Sequence, residues 1–139
     1  VAELSPAQVD EINILQASLK AMTNAYLEIA TENAFCLIDG NKLPPNLPCP
    51  ARAIIKGDSK SKSIAAASII AKVTRDRIMR ALHEEFPHYG WNTNVGYPSK
   101  AHREAIDQHG ITPHHRKSFA PVKNFLNHGT TQNPNKTAA

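Results

Sequence analysis

Apolar residues fall at Val9, Ile12, Leu15, Leu19, Met22, Tyr26 and Ile29, in steps of three or four. That period lays them along one stripe and predicts a helix over 6–30 whose stripe faces a core. Ser5-Pro6 supplies its start signal, a serine cap followed by proline at the first helical position. After Thr31-Glu32-Asn33 the pattern changes. The run Ala-Phe-Cys-Leu-Ile at 34–38 is short and continuously apolar, which predicts a strand buried on both faces. Pro44, Pro45, Pro48 and Pro50 then make 41–50 an extended connector. A second apolar run, 51–57, predicts another strand and delivers Asp58. A basic, hydroxylated turn follows, in which Ser61 or Ser63 caps a helix predicted over 62–85. That helix is apolar nearly all round from 64 to 71, a pattern that belongs inside a core. Beyond it the helix is charged, with Lys72, Arg75, Asp76, Arg77 and Arg80. Pro87 follows its end. The loop 88–99 carries Tyr89, Trp91 and Tyr97, with Trp91 expected to cover a core edge. Ser99 caps a helix over 100–108 that Gly110 stops. A basic turn spans 112–118, and a short helix is predicted over 121–127.

Composition narrows the class. The chain has 139 residues, 41% hydrophobic and 20% charged, as expected for one globular domain with a modest core. That domain is placed at 1–127, and the polar stretch 128–139 is expected to be a disordered tail. Sixteen Lys and Arg against twelve Asp and Glu fit a polyanionic partner without requiring one. No apolar run is long enough to span a bilayer and no signal peptide is evident, so no membrane role is expected. Cys36 and Cys49 are too few for a disulfide framework and lack metal-ligand spacing, and the expected setting is the reducing cytoplasm.

The sharpest candidate chemistry is the pair Asp39 and Asp58, each just past a predicted strand. Parallel strands would bring both to one edge of a sheet, whereas a hairpin would separate them. The proline-rich connector is near the minimum for a parallel crossover and long for a hairpin, so the parallel arrangement is expected. Open α/β sheets bind ligands at such carboxyl ends. Two carboxylates there can supply part of the oxygen shell of Mg²⁺ or Mn²⁺. The competing reading makes Asp39 a turn residue and Asp58 a carboxylate that stabilises a helix start. Lys60, Lys62, Lys72 and Arg75 are candidate phosphate contacts, with a solvated helix face as their plainer reading. The histidines at 102, 109, 114 and 115 do not form a zinc spacing, and His115 reads as a structural hydrogen-bonding residue.

Several motifs together carry a resemblance. Lys-Gly-Asp-Ser-Lys at 56–60, followed by Ile-Ala-Ala-Ala-Ser-Ile-Ile-Ala-Lys-Val-Thr-Arg-Asp at 64–76, closely resembles the central motif of bacterial ribonuclease HII. The likeness extends to 9–15, Ala21-Met22, Leu-Ile-Asp-Gly-Asn at 37–41, Gly-Tyr-Pro-Ser at 96–99 with His102, and His-Arg-Lys-Ser-Phe at 115–119. It covers about 1–125 in the family's order. The resemblance implies an α/β fold, a ribonuclease H-like mixed sheet flanked by helices. It also implies an endonuclease that cleaves the RNA strand of RNA/DNA hybrids and incises DNA 5′ to an embedded ribonucleotide, using Mg²⁺ or Mn²⁺ held by four acidic residues. By resemblance Asp39 and Asp58 are the third and fourth of these. Tyr97 matches the tyrosine that stacks under the sugar at the RNA–DNA junction, and Lys60 and Lys72 fall in the family's motif, where a phosphate-binding role is expected of them. The expected partners are RNA/DNA hybrid and ribonucleotide-containing duplex DNA, bound by a monomer.

The sequence departs from the family at one place. The Asp-Glu-Ala-Gly-Arg-Gly signature that supplies the first two acidic ligands has no counterpart here. Asp10-Glu11 lies in the first predicted helix and is followed by Ile-Asn. The chain is therefore expected to correspond to the C-terminal two-thirds of the enzyme, without the first strands of the sheet. With two carboxylates of four, the isolated chain is expected to cut little or not at all. The alternative is a chain that binds nucleic acid or a partner subunit without cutting.

Overall fold

The computed structural model describes residues 1–136. The elements are α1 (Pro6–Ile12), α2 (Ile14–Ile29), β1 (Cys36–Asp39), β2 (Ala51–Ile54), α3 (Gly57–Lys60), α4 (Lys62–Glu85), a 3₁₀ turn (Pro87–Tyr89), α5 (Trp91–Asn94), α6 (Lys100–His109) and α7 (Ala120–His128). The class is α/β, helix-rich, and its described sheet has two parallel strands. No described helix is long and apolar enough to cross a membrane.

The chain divides into two compact units. One comprises Val1–Leu4 and Ile12–Val73, the other Ser5–Glu11 and the chain from Thr74 onward. The first unit holds α2, both strands, α3 and the first half of α4. The expected helix over 6–30 breaks at Asn13, whose backbone turns to φ 69° and whose side chain accepts a hydrogen bond from the Gln16 N–H at 3.0 Å. An asparagine offers a helix start its own cap, and local capping here outweighs the continuous apolar stripe. Within α2, Ala17 and Leu19 are buried, while Leu15 and Ile29 of the expected stripe are exposed.

Two burial expectations are corrected in this unit. The strand at 36–39 alternates between half-buried and exposed positions, with Phe35 60% and Leu37 38% exposed, so it is not covered on both faces. The 64–71 segment of α4 buries Ile64 but leaves Ile69 63% and Ile70 58% exposed. A two-stranded sheet presents too little surface to cover a helix on every side.

The second unit holds the main core. Met79, Tyr89, Trp91, Ala105, Ile106 and Val122 are buried together, with Leu82, Phe86, Ile111, Phe119 and Phe125 packed around them. Trp91 is a core residue, as expected, stacked on Tyr89 with ring centroids 5.1 Å apart. The loop 88–99 is more ordered than its composition suggests, since it contains the 3₁₀ turn and α5. Ser99 caps α6 through the His102 N–H at 3.2 Å, and Gly110 ends it at φ 79°, both as expected. Asp10 of α1 holds the basic turn, accepting from the Lys117 and Ser118 amides at 2.8 and 2.9 Å and from the Ser118 hydroxyl. Burial alone would raise the Asp10 carboxyl, but these three donors outweigh it and hold the group below the ordinary carboxylate range. Part of the stretch expected to be a disordered tail is attached. Thr131 is buried, and its amide and hydroxyl donate to Asp107 at 2.6 and 3.0 Å. Residues 137–139 of that stretch lie outside the described residues.

Candidate active site

The parallel pairing runs in register from Cys36 opposite Ala51 to Asp39 opposite Ile54. Both strands therefore end at the same edge, as the connector length implied. The Gly40 N–H donates to the Ile54 carbonyl at 2.9 Å, extending the pairing past the last strand residue. Beyond β2 the chain turns sharply, with Lys56 in the left-handed region at φ 53°. The turn swings Gly57 back over the end of β1, where its N–H donates to Asp39 Oδ1 at 2.8 Å. Asp58 is the next residue, so both acidic residues lie at the carboxyl-terminal edge of the strand pair. Gly57 is buried, and a side chain there would displace the tip of Ile64. A Cβ there would lie 2.6 Å from Ile64 Cδ1 and 3.4 Å from Asp39 Oδ1. Ser61 then separates α3 from α4, its backbone N–H bonded to the Gly57 carbonyl at 2.8 Å and its hydroxyl accepting from the Ile64 N–H at 3.4 Å.

Asp39 and Asp58 are both exposed. Among the described residues no group of three or more His, Cys, Asp or Glu side chains is placed to hold a metal ion. The chemistry of the pair fits a hard divalent cation all the same. Carboxylate oxygens are the ligands Mg²⁺ accepts, and that ion keeps waters and substrate oxygens in the rest of its shell. Lys60 closes α3 and Lys72 lies on α4, both exposed and both in the unit that holds the carboxylates. Arg75, one of the candidate phosphate contacts, is committed elsewhere: its Nη2 donates to the Val95 carbonyl at 2.8 Å.

Tyr97 belongs to the second unit and is 71% exposed. The residue is exposed, while its backbone is held by hydrogen bonds. The Tyr97 N–H donates to the Asn94 carbonyl at 2.8 Å, and its own carbonyl accepts from the Ser99 N–H at 2.8 Å. The Gly96 N–H is held by Asn94 Oδ1 at 2.9 Å, and Arg75 secures Val95 at the strained φ of 44°.

Beneath this loop lies a histidine pair that sequence spacing did not reveal. His102 Nδ1 is 2.9 Å from the Tyr97 carbonyl, which only a protonated nitrogen can satisfy. His102 Nε2 is then an acceptor, receiving the Trp91 Nε1–H at 3.2 Å and facing His115 Nε2 at 3.3 Å. His115 Nδ1 accepts from the Thr112 N–H at 3.0 Å, which leaves its Nε2 as the donor to His102. The chain of bonds closes only with both rings neutral. Burial depresses both imidazoles, His115 to about 4 with His102 beside it as the second cause. His115 is thus the structural hydrogen-bonding residue its sequence context implied. The contact of two rings thirteen residues apart becomes visible only once α6 and the following turn fold together.

The model of the ribonuclease HII family matches residues 3–122. The ribonuclease HII of Magnetococcus marinus is 54% identical over 132 residues, covering 92% of this chain and 61% of its own length. That of Marinomonas sp. is 49% identical over 126 residues, covering 91% of this chain and 63% of its own length. That of Bacillus cereus is 52% identical over 126 residues, covering 91% of this chain and 48% of its own length. The chain thus spans between about half and about three-fifths of the relatives it matches.

Proposed function

The chain belongs to the ribonuclease HII family, and from that premise we propose that it forms the Asp39–Asp58 part of a metal-dependent endonuclease. The substrates are RNA/DNA hybrid and duplex DNA with an embedded ribonucleotide, cut on its 5′ side to leave 5′-phosphate and 3′-hydroxyl ends. The observation that supports this reading is the parallel strand pair in which β1 ends at Asp39 and the Gly57 amide, one residue before Asp58, bonds that carboxylate.

In this reading Asp39 and Asp58 hold Mg²⁺ or Mn²⁺. When bound, such an ion lowers the pKa of a coordinated water and stabilises charge on phosphodiester oxygens. The chain's own residues do the remaining work. The Gly57 amide fixes the Asp39 carboxylate by bonding one of its oxygens. Lys60 and Lys72 neutralise backbone phosphates. Tyr97 offers its ring to the sugar, where the 2′-hydroxyl distinguishes RNA from DNA. Arg75 and His102 hold the backbone that presents that ring.

The sequence contains no Asp-Glu-Ala-Gly-Arg-Gly stretch, and two carboxylates alone hold a divalent ion weakly. The 139-residue chain is therefore tested both alone and with the part of the Magnetococcus marinus relative that lies outside the match. The substrate is a duplex with one ribonucleotide, with Mg²⁺ or with chelator. Little product is expected from the chain alone, and Mg²⁺-dependent incision after reconstitution. Asp58→Asn should lower that incision about 100-fold or more while leaving substrate binding equal or tighter, since one repulsive charge is removed. Unchanged cutting by Asp58→Asn overturns the assignment. Salt-sensitive binding with no metal-dependent product under any condition favours a chain that binds without cutting.

A further inference from the structure

Cys36 opens β1, and Cys49 lies just before β2. Their sulfurs are 3.2 Å apart, although thirteen positions separate them along the chain. Two thiols at that distance need to close by little more than about 1 Å to reach the ~2.05 Å of a disulfide. The backbone already brings them together, because the Cys36 N–H donates to the Pro50 carbonyl at 2.9 Å and Cys36 pairs with Ala51. Both side chains are half-buried. Cys49 also lines an open groove of about 500 Å³ with Tyr26, Phe35 and Pro50, through which a small oxidant reaches the pair.

We propose that Cys36 and Cys49 are a thiol–disulfide couple, a reversible staple at the amino-terminal end of the strand pair whose carboxyl-terminal end carries Asp39 and Asp58. The oxidant is a low-molecular-weight disulfide of the glutathione class. The Cys49 thiolate attacks one sulfur of the oxidant, breaking its S–S bond and releasing one glutathione as thiolate. Cys36 then attacks the Cys49 sulfur of the mixed disulfide, and the second glutathione leaves. Two electrons pass from the protein thiols to the oxidant, and two protons pass from the two cysteines to the two departing thiolates. The order follows from access, since Cys49 lines the groove. It also agrees with the chemistry of Cys36, whose thiol is pushed up to about 11 by burial and by its neighbour Cys49 and so is a poor first attacker.

The closed form shuts the proline-rich connector into a ring and clamps β1 to β2. It makes no change at the carboxylate end, so the staple acts on the stability of the first unit. The test equilibrates the whole chain with mixtures of oxidised and reduced glutathione, then traps free thiols with an alkylating agent and weighs the protein. The expected product is a monomer lighter by two hydrogens, with both thiols lost together and restored together by dithiothreitol. Its unfolding midpoint should rise by about 5–10 °C, and a protease cut in the connector should leave the two pieces joined until reduction. Cys36→Ser should trap glutathione on Cys49 as a persistent adduct, since the second sulfur is gone. The proposal is overturned if the unaltered chain accumulates that same adduct, if it forms disulfide-linked dimers, or if its thiols do not react.

Discussion

Gly57 shows how much of the site rests on the absence of one atom. Its amide is the donor that fixes Asp39, and the space for its missing Cβ is taken by Ile64. Gly57→Ala should destabilise the first unit by about 1–3 kcal/mol, read by denaturant unfolding, whereas an unchanged midpoint would mean that Ile64 yields freely. The buried histidines set a second residue-level expectation. His115 titrates near 4 in the fold, against an ordinary value near 6.5, and His102 is shifted in the same direction. The unfolded chain therefore binds protons first as pH falls. The stabilisation is complete above about pH 6.5 and is lost as pH drops from there toward 4, by roughly 3 kcal/mol for His115. Thermal unfolding followed from pH 7 to 4 should show this loss, and His115→Gln should flatten it. The parallel strand pair could be anticipated because two short apolar runs and a stiff connector restrict the topology. The Cys36–Cys49 and His102–His115 contacts could not, since a separation of thirteen residues has no period that a helix or strand would reveal.

At the scale of elements, sequence periodicity located the helices better than their surroundings. α4 occupies the expected 62–85, and α6 and α7 differ from expectation by one residue at an end or two. The break at Asn13 was hidden by an apolar stripe that continues through it. The stripe is a statement about packing, and the asparagine cap is a local competitor that such a pattern does not register. The apolar helix 64–71 illustrates the other limit, since composition predicts a covering for Ile69 and Ile70 that the described residues do not provide. Replacing Ile69 by Gln in this chain should therefore change stability by less than about 0.5 kcal/mol. Met79→Ala, in the core of the second unit, should cost about 2–5 kcal/mol. Chemical denaturation of both variants separates the cases, and equal losses would show that Ile69 is buried in solution.

The molecule as a whole divides into two compact units. The larger core lies among α4 to α7 in one unit, and Asp39 and Asp58 belong to the other. Family membership and the α/β class follow from motifs spread along nearly the whole chain, and the match to 3–122 agrees with the extent of those motifs. The formal charge of +4 is modest, so binding to RNA/DNA hybrid should depend on local cations such as Lys60 and Lys72. The double substitution Lys60→Ala with Lys72→Ala should reduce the salt slope of hybrid binding by about 1–2, measured by titration at several ionic strengths. An unchanged slope would place the phosphate contacts on other residues.

In the proposed site Asp39 and Asp58 act as one cation-binding edge, and this can be read without any catalytic assay. Paramagnetic Mn²⁺ titrated into the isotopically labelled chain broadens the amide signals of residues near the bound ion. The signals of Gly40, Gly57, Asp58 and Ser59 should broaden first, and Asp58→Asn should abolish that selectivity while leaving the rest of the spectrum intact. Broadening that begins elsewhere, or that is the same in Asp58→Asn, would mean that Asp39 and Asp58 do not form that edge.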